Sequence, residues 1–193
     1  VIEVGSNIGA HTLLIAKLIG KKGKIIAIEP TEFALKKLKR NISLNKDLSN
    51  ISVVNKIVSD AVYKGKDKFN SDWNMNNSQS PHKIDFVSTT LDLIAEEAAL
   101  QKLNLLKIDV DGYDYKVLRG GKNVIEKWAP TIFVELCEYA LNKQGNSVLD
   151  IFTYLEGFGY ECFNEVDGQK INADEVISKI GLTTSINGIF KSK

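Results

Sequence analysis

Short runs that are largely apolar alternate along this chain with longer stretches whose apolar residues recur every three or four positions. Val1–Val4, Ile25–Ile28, Ile51–Val58 and Leu103–Val110 are runs of the first kind. Strands with no polar face predict a parallel sheet covered on both sides. The second kind predicts the covering helices. One spans Ala10–Ile19, with Leu13, Leu14, Ala16, Leu18 and Ile19 available for burial and Gly20 as its stop. Another, capped by Thr31, sets Phe33, Leu35, Leu38, Ile42 and Leu44 against a solvated face of lysines and Arg40.

The rhythm breaks at Val62–Ser88, where Asn, Ser, Lys and Asp dominate and Trp73, Met75 and His82 stand in a polar stretch. This predicts an irregular insertion, either a functional loop or a small irregular sheet, with Phe86–Ser88 as a short strand and His82 solvated. A helix then starts at Thr90 (TLDLIAEEAALQ), and a longer one covers Asp114–Lys127 through Tyr115, Val117, Leu118, Val124 and Ile125. Pro130 opens the strand TIFVELC. A helix Ser147–Gly157, a strand Tyr160–Val166, a short helix Asp174–Ile180 and a last strand Gly188–Lys191 complete the pattern. The predicted fold class is α/β, a doubly wound, mostly parallel sheet.

Composition narrows the class. With 193 residues, 44% hydrophobic and 25% charged, one sizeable core and a single domain over 1–193 are expected. The chain opens inside an apolar strand with no Met, so further residues are expected before Val1. Lys plus Arg is 25 and Asp plus Glu is 24, a formal charge of +1 that gives no electrostatic footprint for nucleic acid or an anionic membrane. No apolar run approaches the ~20 residues of a membrane span, and no secretory leader is visible. Cys137 and Cys162 lack metal-ligand spacing and are expected to be small buried hydrophobes in a reducing, cytoplasmic compartment.

The candidate chemistry lies where the strands end. VIEVGSNIG delivers the acid Glu3 and then Gly5 and Gly9, which frame a turn from strand to helix. Glycine there lets the backbone approach a ligand. The spacing is Gly-x-x-x-Gly, without the pyrophosphate glycines of a nicotinamide dinucleotide site. An acid at the strand end suits a cationic ligand such as the sulfonium of S-adenosylmethionine and repels a pyrophosphate.

Seven blocks then carry a resemblance: VIEVGSNIGAHT, GKIIAIEP, VVNKIVSD, TTLD, LLKIDVDGYDYKVLRG, PTIFVELC and the closing NGIFKSK. In order and spacing the chain resembles the FkbM family of S-adenosylmethionine-dependent methyltransferases. It departs at Glu3, where Asp is more usual, and only loosely in the insertion. The resemblance implies a Rossmann-like methyltransferase fold, seven strands with an antiparallel last strand. It also implies methyl transfer to a hydroxyl of a sugar or other small natural product. S-adenosylmethionine is then the cofactor and a small hydroxylated molecule the partner, with no nucleic acid or membrane partner.

On that reading Gly5, Asn7 and Gly9 line the methionine tail and Glu3 contributes to its polar end, although Asn7 serves equally to stabilise the turn. Glu29 is placed to accept from both ribose hydroxyls. Ser59 and Asp60 meet the adenine edge, or else cap a turn. Asp109, ending the central strand, faces the reacting centre. Asp109, Glu135 and His11 are the candidate bases for an alcohol nucleophile. At a helix start the dipole keeps His11 neutral, though such a residue also serves as a cap or cofactor contact. Asp109, Asp111 and Glu135 are hard oxygen groups that would suit Mg²⁺, but Asp111 beside Gly112 is equally explained as a helix-start acid, and no metal is expected. A nucleic-acid methyltransferase is disfavoured by the charge and by the lack of an Asn/Asp-Pro-Pro-aromatic run after LLKIDV. A nicotinamide-dependent oxidoreductase and a catalytically silent binding module remain as alternatives.

Overall fold

In the computed structural model, residues 1–67, 84–181 and 184–193 are described. In chain order the elements are β1 (Ile2–Val4), α1 (Ala10–Ile19), β2 (Ile25–Ile28), α2 (Glu32–Leu44), β3 (Ile51–Val54), β4 (Ile57–Val58), β5 (Lys64–Asp67), β6 (Ile84–Thr89) and α3 (Leu91–Glu97). They continue with β7 (Leu105–Ile108), α4 (Asp114–Arg119), α5 (Lys122–Trp128), β8 (Thr131–Leu136), α6 (Glu138–Lys143), α7 (Val148–Glu156), β9 (Tyr160–Asn164), α8 (Ala173–Lys179) and β10 (Ile186–Ser192).

Seven strands form one sheet in the order β3-β2-β1-β7-β8-β10-β9. β3, β2, β1, β7 and β8 run parallel, and the last strand, β10, enters antiparallel between β8 and β9. This is the doubly wound architecture expected from the apolar runs. The central strands are buried on both faces: Ile2, Leu106, Ile108, Ile132 and Val134 meet Leu118, Ile125, Ile151 and Phe190 in the larger core. Ala27, Leu35 and Leu38 form a smaller one. The sheet connects Glu3 directly to two neighbours, since it lies opposite Ala27 on β2 and Lys107 on β7.

Several boundaries differ from the sequence pattern, each for a physical reason. The run Ile51–Val58 is two strands: β3 belongs to the main sheet, whereas β4 pairs with β6 in a second sheet of order β4-β6-β5. Asn55 makes the break, its Nδ2 donating to Glu29 O at 2.8 Å and Pro30 O at 3.0 Å. The insertion is accordingly strand-flanked, by β5 and by a β6 twice as long as the expected strand. Trp73, Met75 and His82 lie outside the described residues.

The helix expected over Asp114–Lys127 is divided into α4 and α5 at Gly120 and Gly121. A Cβ on Gly120 would stand 2.1 Å from the Ser59 carbonyl oxygen, so the chain passes close to β4 at this joint. Glu138 begins a helix, α6, that the strand reading of TIFVELC did not foresee. On α1 the buried residues are Thr12 and Ala16, while Leu14 and Leu18 are exposed, because the face toward the sheet is set by a bond from Thr12 to Glu3. Phe33 and Leu44 of α2 are likewise exposed. Thr31 stands at the α2 start without capping it through its side chain; its hydroxyl goes to Glu29. Cys162 is buried, its thiol pushed up to about 12 by desolvation, whereas Cys137 is only half-buried; both are free.

Candidate functional site

The chain leaves β1 through a turn tied to β2. The amides of Gly5 and Ser6 both donate to Ile28 O at 3.0 Å, and Gly9 N donates to Ser6 O at 2.8 Å. Gly5 has φ +86, and a Cβ there would lie 1.9 Å from the Asp109 carbonyl oxygen. The first glycine therefore brings the turn against the end of β7, so its immediate neighbour is protein backbone. Asn7 itself adopts a left-handed conformation, φ 46. Among the described residues, α1 has no side-chain cap following Gly9, so its first amides retain hydrogen-bonding capacity for an anionic group.

Glu29, at the end of β2, is nearly buried and already engaged. Its Oε2 accepts from Asn7 N at 2.9 Å, and its Oε1 accepts from Thr31 N at 2.9 Å and from the Thr31 hydroxyl. A carboxylate offers about four lone-pair positions. Three are filled here by the protein, leaving room for one further donor.

Glu3 lies beneath this turn and is fully buried. Oε2 accepts from the Thr12 hydroxyl, whereas Oε1 has no hydrogen-bond partner among the described residues. Burial raises its pKa above the ordinary carboxylate value, with Thr12, Lys107 and His11 pulling the other way. The orphaned Oε1 is 3.9 Å from Lys107 Nζ. The same ammonium donates to Asp109 Oδ2 at 2.9 Å. Lys107 is almost entirely buried and Asp109 is part-exposed, so the ion pair runs from the interior to the surface at the end of β7.

The strand pairing of β7 and β8, which ends at Ile108 and Val134, leads directly to Asp109 and Glu135. Glu135 is raised first by desolvation and then by the charges of Asp109 and Asp111; Ser185 Oγ, donating to Oε1 at 2.6 Å, and Lys107 oppose this. Asp114 braces the intervening loop. Its Oδ1 accepts from Val110 N at 3.3 Å and its Oδ2 from Gly112 N at 3.0 Å. Complete burial pushes the Asp114 carboxyl up to about 7 despite those bonds.

The structure thus brings together Glu3, Gly5, Asn7, Glu29, Asp109 and Glu135 at the carboxyl ends of β1, β2, β7 and β8. His11, in the first turn of α1, is exposed and near enough to favour the charged form of Glu3. Ser59 and Asp60 have partners of their own. Ser59 N donates to Thr89 O at 2.8 Å, Tyr63 OH donates to Ser59 Oγ at 3.4 Å, and Asp60 Oδ2 lies 3.6 Å from Arg119 Nη1. Among the described residues, no group of three or more His, Cys, Asp and Glu residues has a metal-holding arrangement.

Lys107 and Asp114 were not singled out from the sequence as site residues. The signal for Lys107 is a lone cation in the otherwise apolar run LLKI. For Asp114 it is an acid three residues after Asp111, in a helix start that lies against the sheet. Taken together, the edge carries several carboxylates around one buried ammonium, an environment that favours a positive charge brought beside it.

Comparison with known proteins places this geometry in context. A family model described as Methyltransferase FkbM domain matches residues 3–162. No curated protein sequence matches at a significant level. A solved structure of an FkbM methyltransferase from Methylobacillus flagellatus aligns with TM-score 0.65 and 16% identity, over 97% of this chain and 42% of that one. The chain therefore spans about two fifths of that relative's length. A SAM-dependent methyltransferase from Aquifex aeolicus aligns with TM-score 0.52 and 11% identity, over 98% of this chain and 79% of that one. Aeropyrum pernix fibrillarin, in complex with natively bound S-adenosyl-L-methionine, aligns with TM-score 0.50 and 11% identity, over 98% and 64%. At these identities the structural likeness is one of fold. Among the described residues, no helix is long and apolar enough to cross a membrane.

Proposed function

Because the chain belongs to the FkbM methyltransferase family, we propose that it transfers a methyl group from S-adenosylmethionine to a hydroxyl of a sugar or other small natural product. The observation that carries this reading is the convergence of the Gly5–Gly9 turn with Glu3, Glu29 and Asp109 at one edge of the sheet. When bound, the donor supplies an electrophilic methyl on a cationic sulfur, and the surrounding carboxylates favour that charge.

Asn7 and the uncapped start of α1 suit the carboxylate of a methionine tail, and Glu3 contributes its charge to the polar end of that tail from beneath the turn. The remaining lone pair of Glu29 suits one ribose hydroxyl in place of the two that the sequence suggested. Ser59 and Asp60 are assigned the adenine edge. Asp109 orients the incoming hydroxyl. Glu135, whose proton affinity is raised by burial and by neighbouring acids, takes its proton ahead of the exposed His11. Alignment of nucleophile, methyl carbon and sulfur is the larger part of the catalysis, worth about 7 to 11 kcal/mol. A reducing, cytoplasmic setting belongs to the same proposal and is supported by two free cysteines.

Calorimetric titration with S-adenosylmethionine, its demethylated product and NAD tests the reading. Binding of the first two is expected. Binding of NAD alone overturns it in favour of an oxidoreductase. Donor binding without transfer to any hydroxylated metabolite in a labelled-donor screen would instead indicate a silent module.

A further inference from the structure

We infer that Lys107 is a positioning residue for methyl transfer: anchored between Glu3 and Asp109, it fixes the Asp109 carboxylate at the end of β7. The inference rests on the methyltransferase reading above for its reaction, and on the geometry of three side chains for its substance.

Lys107 lies on β7 and Asp109 directly follows the strand, two residues on, where Lys107 Nζ holds Asp109 Oδ2 at 2.9 Å. Glu3 lies opposite Lys107 on the neighbouring parallel strand, and its Oε1 is 3.9 Å from the same nitrogen. An ammonium has three donors. One is spent on Asp109, and the charge of the others offsets Glu3 Oε1, which has no hydrogen bond of its own among the described residues. Among the described residues, the other charged groups acting on this row are His11 on α1, which acts on Glu3, and Glu135 on β8, which is repelled by Asp109 and by Asp111 after β7.

The buried lysine is therefore the cation against which these acids are balanced. Because Asp109 Oδ2 is committed to it, Oδ1 is, among the described residues, the oxygen left for a ligand. The 2.9 Å bond to the more exposed partner ties the interior cation to the strand end.

Four proteins test this: wild type, Lys107→Met, Lys107→Arg and the double variant Glu3→Gln with Lys107→Met. Each is followed by thermal melting and by the carbon NMR signal of the labelled Asp109 carboxyl at one fixed pH. Lys107→Met should melt lower, because a buried Glu3 loses its counter-charge, and its Asp109 signal should leave the wild-type position, because the 2.9 Å bond is gone. The double variant should regain melting temperature and keep the displaced signal. Lys107→Arg should restore the signal. An Asp109 signal that returns to the wild-type position in the double variant, or that never moves, overturns the positioning role. S-adenosylhomocysteine titrated into the wild type separates the two readings. Absence of binding overturns the methyltransferase assignment, whereas binding with an unmoved Asp109 overturns only the role of Lys107.

Discussion

The amide of Asn7 donates to Glu29 Oε2 at 2.9 Å, so the turn that leaves β1 is held by the acid that ends β2. Through Oε1 the same carboxylate also holds both the amide and the hydroxyl of Thr31 at the start of α2. One side chain thus fixes two strand-to-helix connections relative to each other. Glu29→Ala is expected to cost at least about 2 kcal/mol of stability in urea denaturation, because charge-assisted hydrogen bonds in a nearly buried site are lost together. It should also weaken donor binding severely. Glu29→Gln keeps an acceptor for one side and should fall between the two. Calorimetry showing full donor affinity in Glu29→Ala would remove the ribose assignment and leave Glu29 as a brace.

Gly5 makes the complementary case for sterics. A methyl group there meets the Asp109 carbonyl oxygen at 1.9 Å, in addition to the strain of φ +86. Backbone offers no cheap retreat. Gly5→Ala is expected to destabilise by at least about 3 kcal/mol. Gly145→Ala provides the control, since φ is +74 but nothing lies within 4 Å of the added atom; it should cost about 1 to 2 kcal/mol. Equal losses in the two variants would mean that conformational strain alone, without the contact to Asp109, explains Gly5.

These residues also mark how far the sequence could be read. The apolar runs that carry Glu3, Glu29 and Asp109 located the strands, and the rule that ligands gather at carboxyl ends made those acids the candidates. What pattern could not supply was contact between distant segments. Lys107 looks like a polar interruption until register sets it opposite Glu3, more than a hundred positions earlier. The joint between α4 and α5 depends on Gly120 meeting Ser59, and the break between β3 and β4 depends on Asn55 reaching Pro30. Glu29 was legible as an acid at the end of a strand, but its bonds to Asn7 and Thr31 were not, because a helix-start Thr ordinarily caps its own helix.

Asp114 gives the fold a pH dependence of defined sign. Its carboxyl is raised from 3.8 to about 7 by burial, so the folded state binds a proton that the unfolded chain has already released across that window. The associated stability is fully present below 3.8 and is lost as pH rises through about 7. Glu3 and Glu135, also raised by burial, act in the same direction. Denaturation midpoints measured from pH 4 to 8 should decline for the wild type. Asp114→Asn, which keeps an oxygen for Gly112 N, should flatten the slope. A wild-type profile that rises over the window would show that the bonds from Val110 and Gly112 outweigh desolvation.

Asp109 and Glu135 stand at the ends of neighbouring strands, and on the proposed reading their surroundings suit them to different tasks. Asp109 is tied to a cation at 2.9 Å, which suits a group that orients and stabilises charge. Glu135 has its proton affinity raised by burial and by the carboxylates beside it, which suits a group that accepts a proton. Glu135→Gln should lower turnover on an identified acceptor by about 10² to 10⁴ with donor affinity unchanged. The pH dependence that belongs to the base should disappear with it. Asp109→Asn should also lower turnover more than donor binding, but should leave that pH dependence in place, since the proton acceptor is still present. Comparing the two pH–rate profiles decides the division of labour: loss of the acidic limb in Asp109→Asn and its retention in Glu135→Gln would exchange the two roles.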